Sequence, residues 1–222
     1  MSSIAEALKR PVLAAIAAKA GLSYTETGFT PFAYPEARKA LFSHWLSQEN
    51  FTDLFQGKDE EGRGYAFYEA ELVRGSGKNR RTVFRGQIYA VERRPAAGGT
   101  TAIVPDRGLF NFFKPAPGMT RVTLDSDHDF ERRFEVYSTS EMEARQLLFD
   151  SAFRARLLGL ATAGHVFVFV SPDAALVAAS GRNRFEPGSM LRGPAGEERV
   201  RSMLNDVCAS VALLREFKAK LG

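Results

Sequence analysis

Two β-forming runs, Tyr65 to Val73 and Thr82 to Arg93, flank Gly75-Ser76-Gly77-Lys78-Asn79-Arg80-Arg81, and no other feature restricts the fold of this chain as tightly. Aromatic and β-branched residues fill both runs, and the glycines between them supply the positive φ that a tight reversal needs. The pattern predicts a β-hairpin with a basic tip. Further strands are predicted at 100–104, 109–113, 120–124 and 132–137. In the last of these Phe134 and Val136 alternate with Arg133 and Glu135, which predicts one buried and one wet face. Residues 165–170 and 175–180, joined by Ser171-Pro172-Asp173-Ala174, predict a second hairpin with Pro at the second position of a type I turn.

Helical spacing appears before, between and after these strands. Residues 2–20 place Ile4, Leu8, Val12 and Ile16 on one face, with a kink or break expected at Pro11 and a stop at Gly21. Lys9-Arg10 followed by Pro11 to Ala18 and by Ala18-Lys19-Ala20 also imitates a signal peptide, but the four-residue recurrence favours a helix. A second helix is predicted over 36–47 from Ala37, Ala40, Leu41 and Trp45, after which Phe51, Leu54 and Phe55 pin a short turn. The Gly-punctuated segment 57–64 reads as a loop. Ser140 with Glu143 has capping-box spacing, and Asp150 reads as the N-cap of a helix carrying Phe153, Leu157, Leu160 and Ala161. The C-terminal helix carries the clearest stripe, made by Val200, Met203, Leu204, Val207, Val211, Leu214 and Phe217.

Strands, a helix pair, strands and a long helix give an α+β class with a mainly antiparallel sheet, because the strand-helix alternation of a parallel sheet is absent. At 222 residues the expectation is one domain: a helical entry segment over 1–56, then sheet, helix pair and C-terminal helix over 57–222. Thirty Lys and Arg against 26 Asp and Glu leave a formal charge of +4, too little to predict a specific nucleic acid as partner. The lone Cys208 cannot form an internal disulfide and falls in the helical stripe, which predicts a buried thiol and a reducing cytoplasm. No apolar run reaches the 18 or so residues of a membrane span.

Chemical motifs are sparse. The glycine-rich tip is not a phosphate loop, since Leu72 stands where the first Gly is required and Asn79 where Ser or Thr is required. It also joins two strands instead of opening a helix. A solvated turn is the simpler reading, with contact to anionic headgroups or phosphates through Lys78, Arg80 and Arg81 as the functional one. Asp125, Asp127 and Asp129 alternate as at the start of a calcium loop, and with His128 they are the candidates for a metal site or for acid-base chemistry. An EF-hand is excluded, because Phe130 occupies the Gly position and Val136 the bidentate Glu position. His44, His128 and His165 have no zinc spacing, and no GxSxG elbow occurs. Leu109 to Phe113 is an aromatic burst that reads as core or edge strand before contact surface. The pairs Arg80-Arg81, Arg93-Arg94, Arg132-Arg133 and Arg182 with Arg184 read as solvated sheet faces.

One order of features resembles a known bacterial family, the domain of unknown function 3137. It comprises Ala20-Gly21-Leu22-Ser23-Tyr24, Tyr68 with Glu71, Gly75-Ser76-Gly77-Lys78-Asn79 and Thr82-Val83-Phe84-Arg85-Gly86. It continues with Phe130-Glu131-Arg132-Arg133-Phe134-Glu135-Val136-Tyr137-Ser138, Glu143-Ala144-Arg145 with Leu147-Leu148, and Phe185-Glu186-Pro187. The resemblance spans roughly residues 20 to 215. It implies a fold but no reaction, and it implies two membrane-spanning helices ahead of the domain, which this sequence lacks. The expected function is a non-enzymatic binding or interaction module in the cytoplasm, peripheral to the inner membrane and without a cofactor. Its expected partner is another protein or a membrane surface. The alternatives are a metal-dependent enzyme using the 125–129 turn and a weak polyanion binder.

Overall fold

A computed structural model describes residues 4–42, 46–94, 98–106, 115–124, 127–186 and 194–222. Helix α1 (Ile4–Lys19) leads into strand β1 (Ser23–Thr25), helix α2 (Tyr34–Leu41), and the long strands β2 (Leu46–Lys58), β3 (Gly64–Arg74) and β4 (Arg81–Glu92). Then come β5 (Thr101–Pro105), β6 (Thr120–Val122), α3 (His128–Arg133), β7 (Phe134–Ser138), α4 (Glu141–Phe149) and α5 (Ser151–Ala161). The chain closes with β8 (Val166–Val170), β9 (Ala174–Ser180) and α6 (Pro194–Leu221). Among the described residues the strands form one nine-stranded sheet in the order β1-β2-β3-β4-β9-β8-β5-β7-β6, and its pairs run antiparallel. The fold is therefore α+β.

Alternation along the strands builds a core on each face of this sheet. Phe55, Phe67, Tyr89, Val168 and Val177 pack on one face against Leu13 and Ala17 of α1, Leu148 of α4, Leu157 of α5, and Met203, Val207, Leu214 and Phe217 of α6. Tyr68, Leu72, Phe84, Ile88, Phe167 and Leu176 face the other way, against Tyr34, Ala37 and Leu41 of α2. Each fully buried Leu, Val or Phe contributes about 1.5–3 kcal/mol relative to exposure, so two-sided burial explains why the central strands are apolar almost throughout.

The segment read as a helical entry carries α1 and α2 and also supplies β1 and most of β2. Helix α2 ends at Leu41, and β2 occupies 46–58, where a helix running to Ser47 and then a turn were predicted. The cause is a bulge. The β2–β3 register shifts between Thr52 and Phe55, and Asp53 sits at φ 57, a left-handed conformation that Asp tolerates better than most residues. The extra residue reverses strand parity, so Phe51 packs on the α2 face and Phe55, four residues on, packs on the opposite face. The spacing of Phe51, Leu54 and Phe55 thereby imitates a helix.

Other local readings are corrected too. Strand β7 is buried along its whole length, including Glu135, whose carboxylate accepts a hydrogen bond from Tyr137 Oη at 2.9 Å. A second layer covers the face predicted to be wet. Ser140 makes no side-chain cap; Glu143 instead accepts the backbone N–H of Gly99. Asp150 does cap α5, accepting from Ala152 N and Phe153 N. Cys208 is exposed, because the buried stripe of α6 runs through Met203, Val207, Ser210, Leu214 and Phe217, and Cys208 lies one residue past it. Leu204 is likewise 42 % exposed. The predicted strand at 109–113 lies outside the described residues.

Candidate functional site

The β3–β4 hairpin carries the basic tip where the sequence places it. Gly75 turns the chain at φ 75, and a Cβ there would collide with the carbonyl of Asn79, so the reversal depends on glycine. A single 3-10 turn, Gly77–Asn79, follows, closed by Asn79 N donating to Ser76 O at 3.1 Å. Ser47 Oγ donates to Gly75 O at 2.7 Å and fastens the tip to β2. Lys78, Arg80 and Arg81 are all exposed, and Arg80 reaches Gln48 Oε1 at 3.2 Å. Among the described residues none of the three pairs with a carboxylate. The tip is thus a compact cationic point on a two-stranded ribbon.

The other arginines of the sequence-noted pairs have local duties. Arg93 donates to Leu221 O and Ser171 O, tying the end of α6 to the β8–β9 turn. Arg133 donates to Ala161 O at the end of α5, and Arg94 and Arg132 pair with Glu61 and Asp129. Arg184 lies 3.8 Å from Asp206. Of the acidic turn, Asp125 lies outside the described residues. Asp127 caps α3 through Phe130 N and pairs with Arg154 at 2.6 Å, which lowers its carboxyl below the ordinary value. No group of three acidic, His or Cys side chains poised for a metal occurs among the described residues. His44 lies outside them, His128 is exposed, and His165 is half-buried, its imidazole held below its usual value by burial and by Arg133.

A second locus lies away from the sequence-predicted candidates. Lys9 of α1 is buried and donates to Asp53 Oδ2 at 2.8 Å, while Tyr24 Oη donates to Asp53 Oδ1 at 2.6 Å. Beside this network Glu69 of β3 is only 2 % exposed. Its Oε1 accepts the backbone N–H of Arg184 at 2.6 Å, and its Oε2 has no partner among the described residues. Burial raises the Glu69 carboxyl to about 7, with the Asp53 charge adding to the shift and the Arg184 N–H, Lys9 and the Phe185 N–H opposing it. Glu69 lines a cleft of about 620 Å³ at the β2–β3 edge, with Glu49, Phe51, Glu71, Arg85 and the loop through Phe29.

The raised Glu69 value has a stability consequence with a definite sign. The folded state holds this proton more tightly than the unfolded chain, so the group costs nothing below about pH 4.5 and progressively more as pH rises through about 7. The full cost is roughly 3 kcal/mol. Urea denaturation at pH 5 and pH 8 should therefore differ less for Glu69→Gln than for the native chain, and an equal difference in the two would refute the assignment.

The family described as "Protein of unknown function (DUF3137)" matches residues 82–219. That interval starts at the second hairpin strand and leaves the 20–24, 68–71 and 75–79 pieces of the resemblance outside it. No curated protein matches the chain. Among solved structures, the mycobacterial trehalose monomycolate transport factor A is similar at a TM-score of 0.46 and 16 % identity, covering 89 % of this chain and 93 % of that one.

Proposed function

The chain belongs to the DUF3137 family of proteins of unknown function, and from that premise we propose a non-enzymatic binding module that rests on an anionic surface through its hairpin tip. The surface proposed is the cytoplasmic leaflet of a membrane, whose acidic headgroups attract basic side chains by about 1 kcal/mol each. The carrying observation is the exposed triad Lys78, Arg80 and Arg81, none of which pairs with a carboxylate among the described residues, on a turn anchored by Ser47. Members of this family usually carry two membrane-spanning helices, which supports a working position beside a bilayer. No helix among the described residues is long and apolar enough to cross one, so the contact proposed is peripheral.

Flotation with vesicles tests this. The chain should float with phosphatidylcholine vesicles containing phosphatidylserine and not with phosphatidylcholine alone, and high salt should release it. Neutralising the triad with Lys78→Gln, Arg80→Gln and Arg81→Gln removes about 3 kcal/mol, a loss of roughly 100-fold in partitioning. Undiminished flotation of the triple variant would remove the tip from the proposal; failure of the native chain to float at low salt would remove the membrane.

A further inference from the structure

The outer edge of β2 is paired along only part of its length. Strand β1 covers Leu54 to Gln56, and Asp53 N donates to Glu26 O at 2.8 Å. Past that bond the chain leaves β2: Gly28 turns at φ 77, and Phe29 crosses to the α2 face, where its ring meets Phe51 and Tyr68. Residues 46–52 pair with β3 on one side, and among the described residues their backbone has no backbone partner on the other. In an antiparallel ladder alternate residues point N–H and C=O outward, so this stretch presents a row of free donors and acceptors.

Sheets guard such an edge with Pro, Lys, a covering segment or extreme shortness. Strand β6, at the opposite edge, is only Thr120–Val122. Residues 46–52 contain neither Pro nor Lys, and their one charge, Glu49, is paired with Arg38 at 2.6 Å. The cleft of about 620 Å³ opens here, lined by Phe29 and Phe51 on the α2 side of the sheet and by Asn50, Glu71, Asn183 and Glu186 on the other. An added strand meets both sides, because its side chains alternate. Charge selects the occupant. Arg85 pairs with Glu71 at 2.9 Å, whereas Glu186 has no ion-pair partner among the described residues and only accepts from Asn183 Nδ2 at 2.6 Å. Glu49, Glu71 and Glu186 against Arg38 and Arg85 leave the rim negative, and a second copy of 46–52 would bring no positive side chain to it.

We propose that the 46–52 edge of β2 accepts an extended segment of a partner protein as an added strand, with apolar side chains toward Phe29 and Phe51 and a Lys or Arg toward Glu71 and Glu186. Backbone pairing supplies the hold, and the two sides of the cleft read alternate side chains. The surface uses none of Lys78, Arg80 and Arg81 and stands whether or not the tip meets a membrane.

Titration of the full chain with the acetylated and amidated peptide Thr-Val-Lys-Val-Lys-Val-Thr, followed by calorimetry and by amide NMR, tests the proposal. Saturable binding is expected, with slowed hydrogen exchange at alternate amides of 46–52. The same peptide with Glu in place of Lys should bind at least about tenfold more weakly, and Glu186→Gln should weaken the native peptide about threefold. Methylating two adjacent central amides of the peptide, so that neither of its edges can pair, should abolish binding. The triple tip variant should bind at least as tightly as the native chain. Absence of saturation by about 10 mM, equal binding of the methylated or the Glu peptide, or protection of amides elsewhere than 46–52 would overturn it. Protection of 46–52 that grows with chain concentration in the absence of peptide would give the edge to a second copy and likewise overturn it.

Discussion

Replacing Gly86 with Ala should destabilise the fold by about 3–5 kcal/mol, in the range reserved for substitutions with a severe structural cause. Gly86 lies in β4, paired with Ala70 on one side and Ser180 on the other, at φ 156. A Cβ built there lands on the carbonyl oxygen of Ala179 and within 2.8 Å of Gly181 N and Ser180 Cα. All three obstacles are backbone, so no side-chain rotation relieves them, and β4 or β9 must shift. This junction joins the β1–β4 half of the sheet to the rest. At 2–4 °C per kcal/mol the midpoint of thermal unfolding should fall by roughly 10 °C. Gly159→Ala in α5, where nothing lies within 4 Å of the added carbon, is the control and should be neutral or slightly stabilising. Equal midpoints for the two variants would contradict the packing described at Gly86.

Lys9→Met should cost a similar amount, about 3–5 kcal/mol, for an electrostatic reason. The substitution keeps the length of the side chain and removes the charge that neutralises Asp53, which is fully buried. Tyr24 would still donate to Asp53, but a neutral hydroxyl compensates a desolvated carboxylate only in part. The Tyr24 phenol is itself held well above its ordinary value, by burial first and then by its bond to Asp53, so it cannot share its charge state in exchange. Adding Asp53→Asn to Lys9→Met should recover much of the loss, since Asn also tolerates the left-handed backbone at this bulge. The measurement is a double-mutant cycle by urea denaturation. If Lys9→Met alone unfolds at the native midpoint, the buried pair contributes nothing and the reading fails.

What the sequence discloses here follows the range over which each structure is determined. The β3–β4 hairpin, the α5 cap at Asp150 and the α6 stripe are set by residues within a turn or two of each other, and each is legible. Strand β2 is not, because Asp53 reverses parity in mid-strand and leaves Phe51 and Phe55 at helical spacing. The exposed basic tip is legible as a turn between β-formers. The acidic cleft is not: Glu69 and Glu71 lie two apart on one face, yet the first is buried by the distant Arg184–Phe185 segment and the second is part-exposed. Lys9 shares its helical row with Leu13 and Ala17, and a lysine repeating with core residues at four-residue spacing is the one sign that could have been read.

The isoelectric point of about 9.3 takes on a different meaning once the guanidiniums are located. Arg93, Arg133, Arg154 and Arg199 each donate to main-chain carbonyls at helix ends or in connecting segments, substituting for caps that the sequence does not otherwise provide. Their charge is spent inside the molecule as mortar between elements. A lysine in any of these places would keep the positive charge at neutral pH and lose the forked geometry, so in these four arginines the basic charge serves construction.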